Sequence, residues 1–303
     1  GRNYLENYCG TQPWFCHISF GGPHEPWDTP KPYADMYAPE AMPKPLPQTR
    51  SLNPARPTGM VDKNLSKPAL CCGAATAAAL RADYCGAVSL IDKQIGDIIE
   101  TVKRRGEWDN TVVLISSDHG ELNGDHGMVK KRNFYRGALN VPLVIRTPDS
   151  ATRSSHKCGA LVSLIDIGPT LTDYAGGELS YTQFGRSLRA LVESGAESFR
   201  DCLISELAGE LMYMDRRWKM VTNAQGEVYQ LFDLEKGPDE LLNLAGAEEY
   251  KETETQLTIK LFRELAANRC LTATVMQMTE PPLSEEFVAG YGDSVALRPR
   301  RMS

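Results

Sequence analysis

A chain of 303 residues, 42% hydrophobic and 24% charged, is long enough to bury one large core, or a core and a smaller domain. Its formal charge of −6 offers no electrostatic footprint for nucleic acid. No apolar run in it approaches the ~20 residues needed to span a bilayer.

In chain order, Gly1-Arg2-Asn3-Tyr4 has neither a starting Met nor a signal-peptide pattern, so a processed or truncated chain is expected. Trp14 to Phe20 reads as a short buried strand closed by Gly21-Gly22-Pro23. Residues 23–68 are proline-rich and aperiodic, and a loop of that length is usually functional or disordered. From Ala69 to Arg105, the spacing of Leu80, Tyr84, Val88, Ile91, Ile95, Ile98, Ile99 and Val102 predicts a long amphipathic helix, with Gly106 as its stop. Strands are predicted at 111–116 and 141–145, then a helix from Asp166 to Ala175. Strand, helix, strand, helix in this order argues for an α/β fold with a mainly parallel sheet flanked by helices.

Beyond Phe199 the pattern changes to short, closely spaced strands around Leu203, Leu211, Trp218 and Val228, with a turn at Asn223-Ala224-Gln225-Gly226. This predicts an antiparallel meander, followed by a helix over 248–267; the polar tail from Thr272 is unassigned. The expected division is a core over 1–198 and a C-terminal antiparallel α+β subdomain over 199–303. The eight cysteines match neither a zinc ribbon nor a CxxC pair, and Cys16, Cys72 and Cys85 read as buried free thiols.

The chemistry concentrates after the strand at 111–116, where Ser117-Asp118-His119-Gly120 is followed by Gly124-Asp125-His126-Gly127 and by Lys130, Lys131 and Arg132. Ligands of α/β sheets bind beyond the carboxyl ends of strands. A carboxylate and a neutral imidazole suit a divalent cation, so Asp118 and His119 are candidate metal ligands; the alternative is an Asp capping its own turn. His24, held between prolines after the first strand, is a candidate proton donor or simply a packed loop histidine. The three cations suit an oxyanion or form a solvated patch, and His126 is either a substrate contact or a surface residue.

The segment 116–146 resembles the C-terminal catalytic part of the sulfatases, in the alkaline phosphatase superfamily. Residues 18–37 are similar to that family's PHxP segment. Residues 84–99, 161–176, 185–195 and 226–245 resemble further segments in the right order, so the likeness runs over about 14–245. The resemblance implies an alkaline-phosphatase-like fold, partial in this chain, and a hydrolase of sulfate esters. It assigns Asp118 and His119 to the second pair of metal ligands, Lys131 to the sulfate group and His24 to the ester oxygen as general acid. His at position 119, where many members have Asn, resembles the iduronate- and choline-sulfatase type. The expected ion is Ca2+, with Mn2+ or another transition metal as the alternative.

The family's formylglycine motif and its first aspartate pair have no counterpart here. Ser51-Leu52-Asn53-Pro54-Ala55-Arg56 has one residue too many and follows the PHxP segment instead of preceding it. The chain as given is therefore expected to be incomplete and not to turn over sulfate esters alone. The expected partner is a sulfated small molecule or glycan. The alternatives are a phosphonate monoester or phosphodiester hydrolase of the same superfamily, and an inactive module that binds sulfated glycans. The resemblance is compatible with a periplasmic or secreted setting, and the sequence leaves the compartment and oligomeric state open.

Overall fold

The computed structural model describes residues 1–67, 73–148, 156–178 and 183–279, with the backbone alone over 268–279. Cys71, Cys72, the expected helix start at Ala69, the side chain of Cys270 and the tail beyond Thr279 lie outside the described residues.

A short helix α1 (Arg2–Asn7) opens the chain and is followed by an irregular stretch to Arg50 that contains two 3-10 turns. The strand expected at Trp14–Phe20 does not form. No described strand lies alongside to accept its ladder bonds, and Phe15 is 73% exposed. The segment is instead tied down by Trp14, whose indole donates to Glu107 at 2.8 Å. The long loop carries β1 (Arg50–Ser51) and α2 (Met60–Leu65), so it is less irregular than the sequence suggests.

Helix α3 (Ala74–Arg104) is the predicted amphipathic helix, and Gly106 closes it in the left-handed region at φ 71. In its first half the buried face is made of small residues, Ala77, Ala82 and Gly86, and Thr101 and Val102 are buried near its end, while Val88 is exposed. The loop packs against that face closely enough that a Cβ at Gly86 would stand 2.5 Å from the Tyr33 carbonyl.

Strands β2 (Val113–Ser116) and β3 (Leu143–Arg146) flank α4 (Arg136–Leu139) and pair antiparallel, Val113 opposite Arg146. The intervening segment has no long crossover helix to carry the chain back for a parallel return. Next come α5 (Ile167–Tyr174) and α6 (Arg189–Ser194). Before α5, Asp166 accepts the Ser163 N–H at 2.8 Å in a capping box.

The C-terminal meander forms as expected. β4 (Leu203–Leu207), β5 (Glu210–Met214), β6 (Trp218–Thr222) and β7 (Val228–Asp233) make an antiparallel sheet in sequential order. The turn before β7 is built by Asn223, whose Oδ1 accepts the N–H groups of Gln225 and Glu227, with Gly226 at φ 82. β8 (Leu242–Asn243) pairs parallel with β1, bridging the sheet to the long loop. The final helix α7 (Lys251–Thr279) runs 12 residues past the predicted end. The architecture is thus α/β, with helices, a parallel pairing and a C-terminal antiparallel sheet plus helix. None of the described helices is long and apolar enough to cross a membrane.

The core lies on both faces of the meander. One cluster joins Met212, Val221, Tyr229 and Phe232 to Leu122, Met128, Phe134 and Tyr135 from the segment after β2. The other packs Met220, Leu231 and Leu244 against Leu257 and Leu261 of α7. A bulge decides which side Tyr229 joins. Val221 faces Gln230 and Thr222 faces Val228, so Tyr229 is the extra residue and turns to the same side as Phe232. Cys9, Cys16, Cys85, Cys158 and Cys202 are free, as expected, but none is buried. Cys16 sits on the segment that forms no strand and is only partly covered.

Candidate active site

The turn that ends β2 carries the first group. Ser117 Oγ donates to the His119 carbonyl at 2.9 Å, and Asp118 Oδ1 accepts the His119 N–H at 3.0 Å. His119 Nδ1 lies 3.0 Å from the Gly120 carbonyl, which can only accept, so Nδ1 carries a hydrogen, and it is in the neutral ring that Nε2 presents a lone pair. That Nε2 stands 3.5 Å from Asp118 Oδ2. Two donors sharing one cation at usual bond lengths stand about 3 Å apart, so this pair fits half of a ligand set. Among the described residues no third acidic, His or Cys side chain joins them. Partial burial raises the Asp118 carboxyl, but the His119 ring, two backbone N–H groups and the Ser117 hydroxyl outweigh it, and the pKa ends below its usual value.

Gly120 is required by a close approach. Its N–H donates to the Ala138 carbonyl at 2.8 Å, and a Cβ would meet the Gly137 carbonyl oxygen at 2.0 Å.

The PHxP loop brings His24 beside this turn, with the His24 and His119 ring centroids 6.4 Å apart. His24 Nδ1 lies 2.7 Å from the Glu25 carbonyl, which can only accept, so Nδ1 carries a hydrogen and Nε2 is the nitrogen outside that contact. Glu25, which sequence reasoning missed, links the cluster. Its carboxylate is 2.9 Å from Lys130 Nζ, 3.4 Å from Lys131 Nζ and 3.5 Å from His24 Nδ1. The hydrogen bond from Lys130 pulls the Glu25 pKa down to about 2; burial opposes this, while its own backbone N–H and the charges of Lys131 and His24 add to it. No signal in the sequence announces that Glu25 meets Lys130, 105 positions later.

The segment bearing the lysines is strained and tightly held. Asn123, His126, Lys130 and Arg132 all have positive φ, which is uncommon for residues other than glycine. Glu121 accepts the N–H groups of Asn123 and Lys130, and burial raises its pKa. Arg81 of α3 donates to the Asn123 carbonyl at 2.9 Å and to Asp125 at 2.6 Å. An open cavity of about 570 Å³ beside His24, lined by Pro23, Trp27, Leu90 and Ile91, separates the PHxP loop from α3.

The structure therefore brings His24, Asp118, His119 and Lys131 to one edge, beyond the end of β2. His126 behaves differently. It is 3% exposed, stacked on Tyr135 at 3.9 Å and 11°, with Nδ1 3.1 Å from Thr49 Oγ1. Direct contact with a substrate does not suit a side chain so enclosed; its role in this fold is to seat the loop on the core. Burial lowers its pKa. Arg132 is exposed. Arg56 is engaged structurally, with Nε 3.0 Å from the Tyr229 carbonyl and Nη2 2.6 Å from Asp62.

A mixed α/β fold with acid, imidazole and lysine grouped beyond a strand end fits a hydrolase site, and similarity to known proteins sets it among hydrolases of the alkaline phosphatase superfamily. The solved phosphonate monoester hydrolase from Silicibacter pomeroyi is similar, with a TM-score of 0.74 and 28% identity over 88% of this chain and 58% of that one. The sulfatase family model matches residues 2–177, and the model for the N-sulphoglucosamine sulphohydrolase C-terminal region matches 124–267. The chain belongs to the sulfatase family. An arylsulfatase of Clostridium perfringens is 34% identical over 87% of this chain and 56% of its own length. A choline-sulfatase of Rhizobium meliloti is 31% identical over 84% of this chain and 50% of its own. The chain thus spans about half the length of these curated relatives.

Proposed function

We propose that this chain supplies one wall of the active site of a sulfuric ester hydrolase. The observation that carries this is the meeting of His24, His119 and the Glu25-linked lysines at the end of β2. Lys131 binds the ester anion, and its ammonium offsets negative charge as the S–O bond breaks. His24, as the imidazolium with a hydrogen on each ring nitrogen, hands its Nε2 proton to the departing alcohol oxygen and is left neutral with the Nδ1 hydrogen, while the Glu25 carbonyl at Nδ1 fixes the orientation of the ring. Asp118 and His119 hold part of a divalent metal site, Ca2+ or, given the imidazole, Mn2+ or another transition metal. Such an ion supplies Lewis-acid stabilisation of the anion when bound. The working division is a core over 1–198 and a subdomain over 199–303.

The substrate class is a sulfated small molecule or glycan. A phosphonate monoester hydrolase is the second reading, favoured by the likeness to the Silicibacter pomeroyi enzyme. Turnover of an aryl sulfate and of an aryl phosphonate by the protein containing this chain separates the two. The aryl sulfate should be hydrolysed, and His24→Ala should lower kcat by about 10²–10⁴-fold. Full activity in both Asp118→Ala and Lys131→Ala would remove these residues from the site. Absence of turnover, with retained binding of sulfated glycans, would favour a binding module.

A further inference from the structure

Glu25 stands where an anion belongs. Its two carboxylate oxygens lie against the two ammonium groups of a site that otherwise attracts substrate anions, at 2.9 Å from Lys130 and 3.4 Å from Lys131. The two distances differ in meaning. The first is a full charge-assisted hydrogen bond; the second is at the outer limit of one. Lys130 is therefore committed to Glu25, whereas Lys131 is held loosely and is the cation left for a ligand. Glu25 follows the His24 loop, and the Lys130 N–H is fixed by Glu121. Lys131 and Glu25 are each 22% exposed and Lys130 is 43% exposed, so water screens the group in part, most at Lys130.

We propose that Glu25 is a specificity-determining residue that takes one unit of positive charge off the lysine seat, disfavouring doubly charged phosphate monoesters relative to singly charged esters. Within the triad, two lysines and one carboxylate leave one unit of positive charge, where the lysines alone would present two. A sulfate monoester or a phosphonate monoester carries one negative charge. A phosphate monoester above its second pKa carries nearly two, and the second would face the Glu25 carboxylate across the same ammonium groups. The inference rests on the anion-binding role proposed for Lys131, and the following experiment separates the two.

Phenyl sulfate and phenyl phosphate differ chiefly in charge at about pH 8. Their affinities for the 303-residue chain are measured by calorimetric or NMR titration at low salt. The expected result is that Glu25→Gln raises phenyl phosphate affinity by about tenfold more than phenyl sulfate affinity, the order that one poorly screened unit charge supports at this range. Lys130→Met removes a positive charge instead, and should weaken phenyl phosphate more than phenyl sulfate. That opposite sign protects the test against a simple folding defect, which would lower both. If either substitution changes both affinities by the same factor while Lys131→Ala abolishes binding, the seat is real and Glu25 does not select. If Lys131→Ala leaves both affinities intact, or the unaltered chain binds neither anion, the anion seat itself is wrong and the inference falls with it.

Discussion

Glu25 and His126 show how the same fold moves two titrations for unrelated reasons. Glu25 is stabilised as a carboxylate by Lys130, so its pKa falls from 4.5 to about 2. Its contribution to stability is complete above 4.5 and is lost as pH falls toward 2. A carboxyl-detected NMR titration should find that low midpoint, and Lys130→Met should return it most of the way to 4.5. An unshifted midpoint in the variant would mean that the ion pair is not formed in solution. His126 is the opposite case. Burial disfavours its charged form, so over the window below 6.5 the unfolded chain binds more protons than the folded one. Stability should therefore rise with pH through that window and fall on acidification. His126→Phe keeps a ring against Tyr135 and should flatten the slope, read as urea midpoints at several pH values. Equal slopes in both proteins would exclude His126 as the source.

At the scale of elements, what could be read in the sequence was whatever is decided locally. The period of α3, the alternating strands β4 to β7 and the Asn223–Gly226 turn were all legible, because propensity, pattern and turn chemistry agree there. Trp14–Phe20 was not, because an apolar run becomes a strand only where another strand lies beside it. The antiparallel pairing of β2 and β3 was hidden for a related reason: the order of elements does not state the direction of return. Asp118, His119, Lys131 and His24 were legible as a motif, yet the link through Glu25 depends on long-range packing. The turn after β2 offers a sharp test. Gly120→Ala drives a methyl into the Gly137 carbonyl and should cost about 3 kcal/mol in chemical denaturation. A loss of less than about 0.5 kcal/mol, the usual surface range, would show that the turn is free to shift.

Across the whole molecule, the site and the C-terminal sheet are joined by a buried charge pair. Lys219 of β6 is 1% exposed, bonds to Glu240 and to the Phe134 carbonyl, and has its pKa lowered by burial. Glu240 in turn accepts the Arg136 N–H at 2.9 Å, so the sheet grips the stretch just after the lysines. Lys219→Met should destabilise by about 3–5 kcal/mol by stranding Glu240, and adding Glu240→Gln should recover part of that loss. Equal denaturation midpoints for the single variant and the parent would refute the coupling. The left-handed residues at 123, 126, 130 and 132 acquire a wider meaning from these attachments. A free peptide of this sequence would relax out of such angles, since each costs energy that only neighbouring contacts offset. Here α3 holds it through Arg81, the aromatic core through His126, and the meander through Lys219. The segment is consequently not portable: grafted into another scaffold, or synthesised as residues 117–136 alone, it would keep its letters and lose its shape.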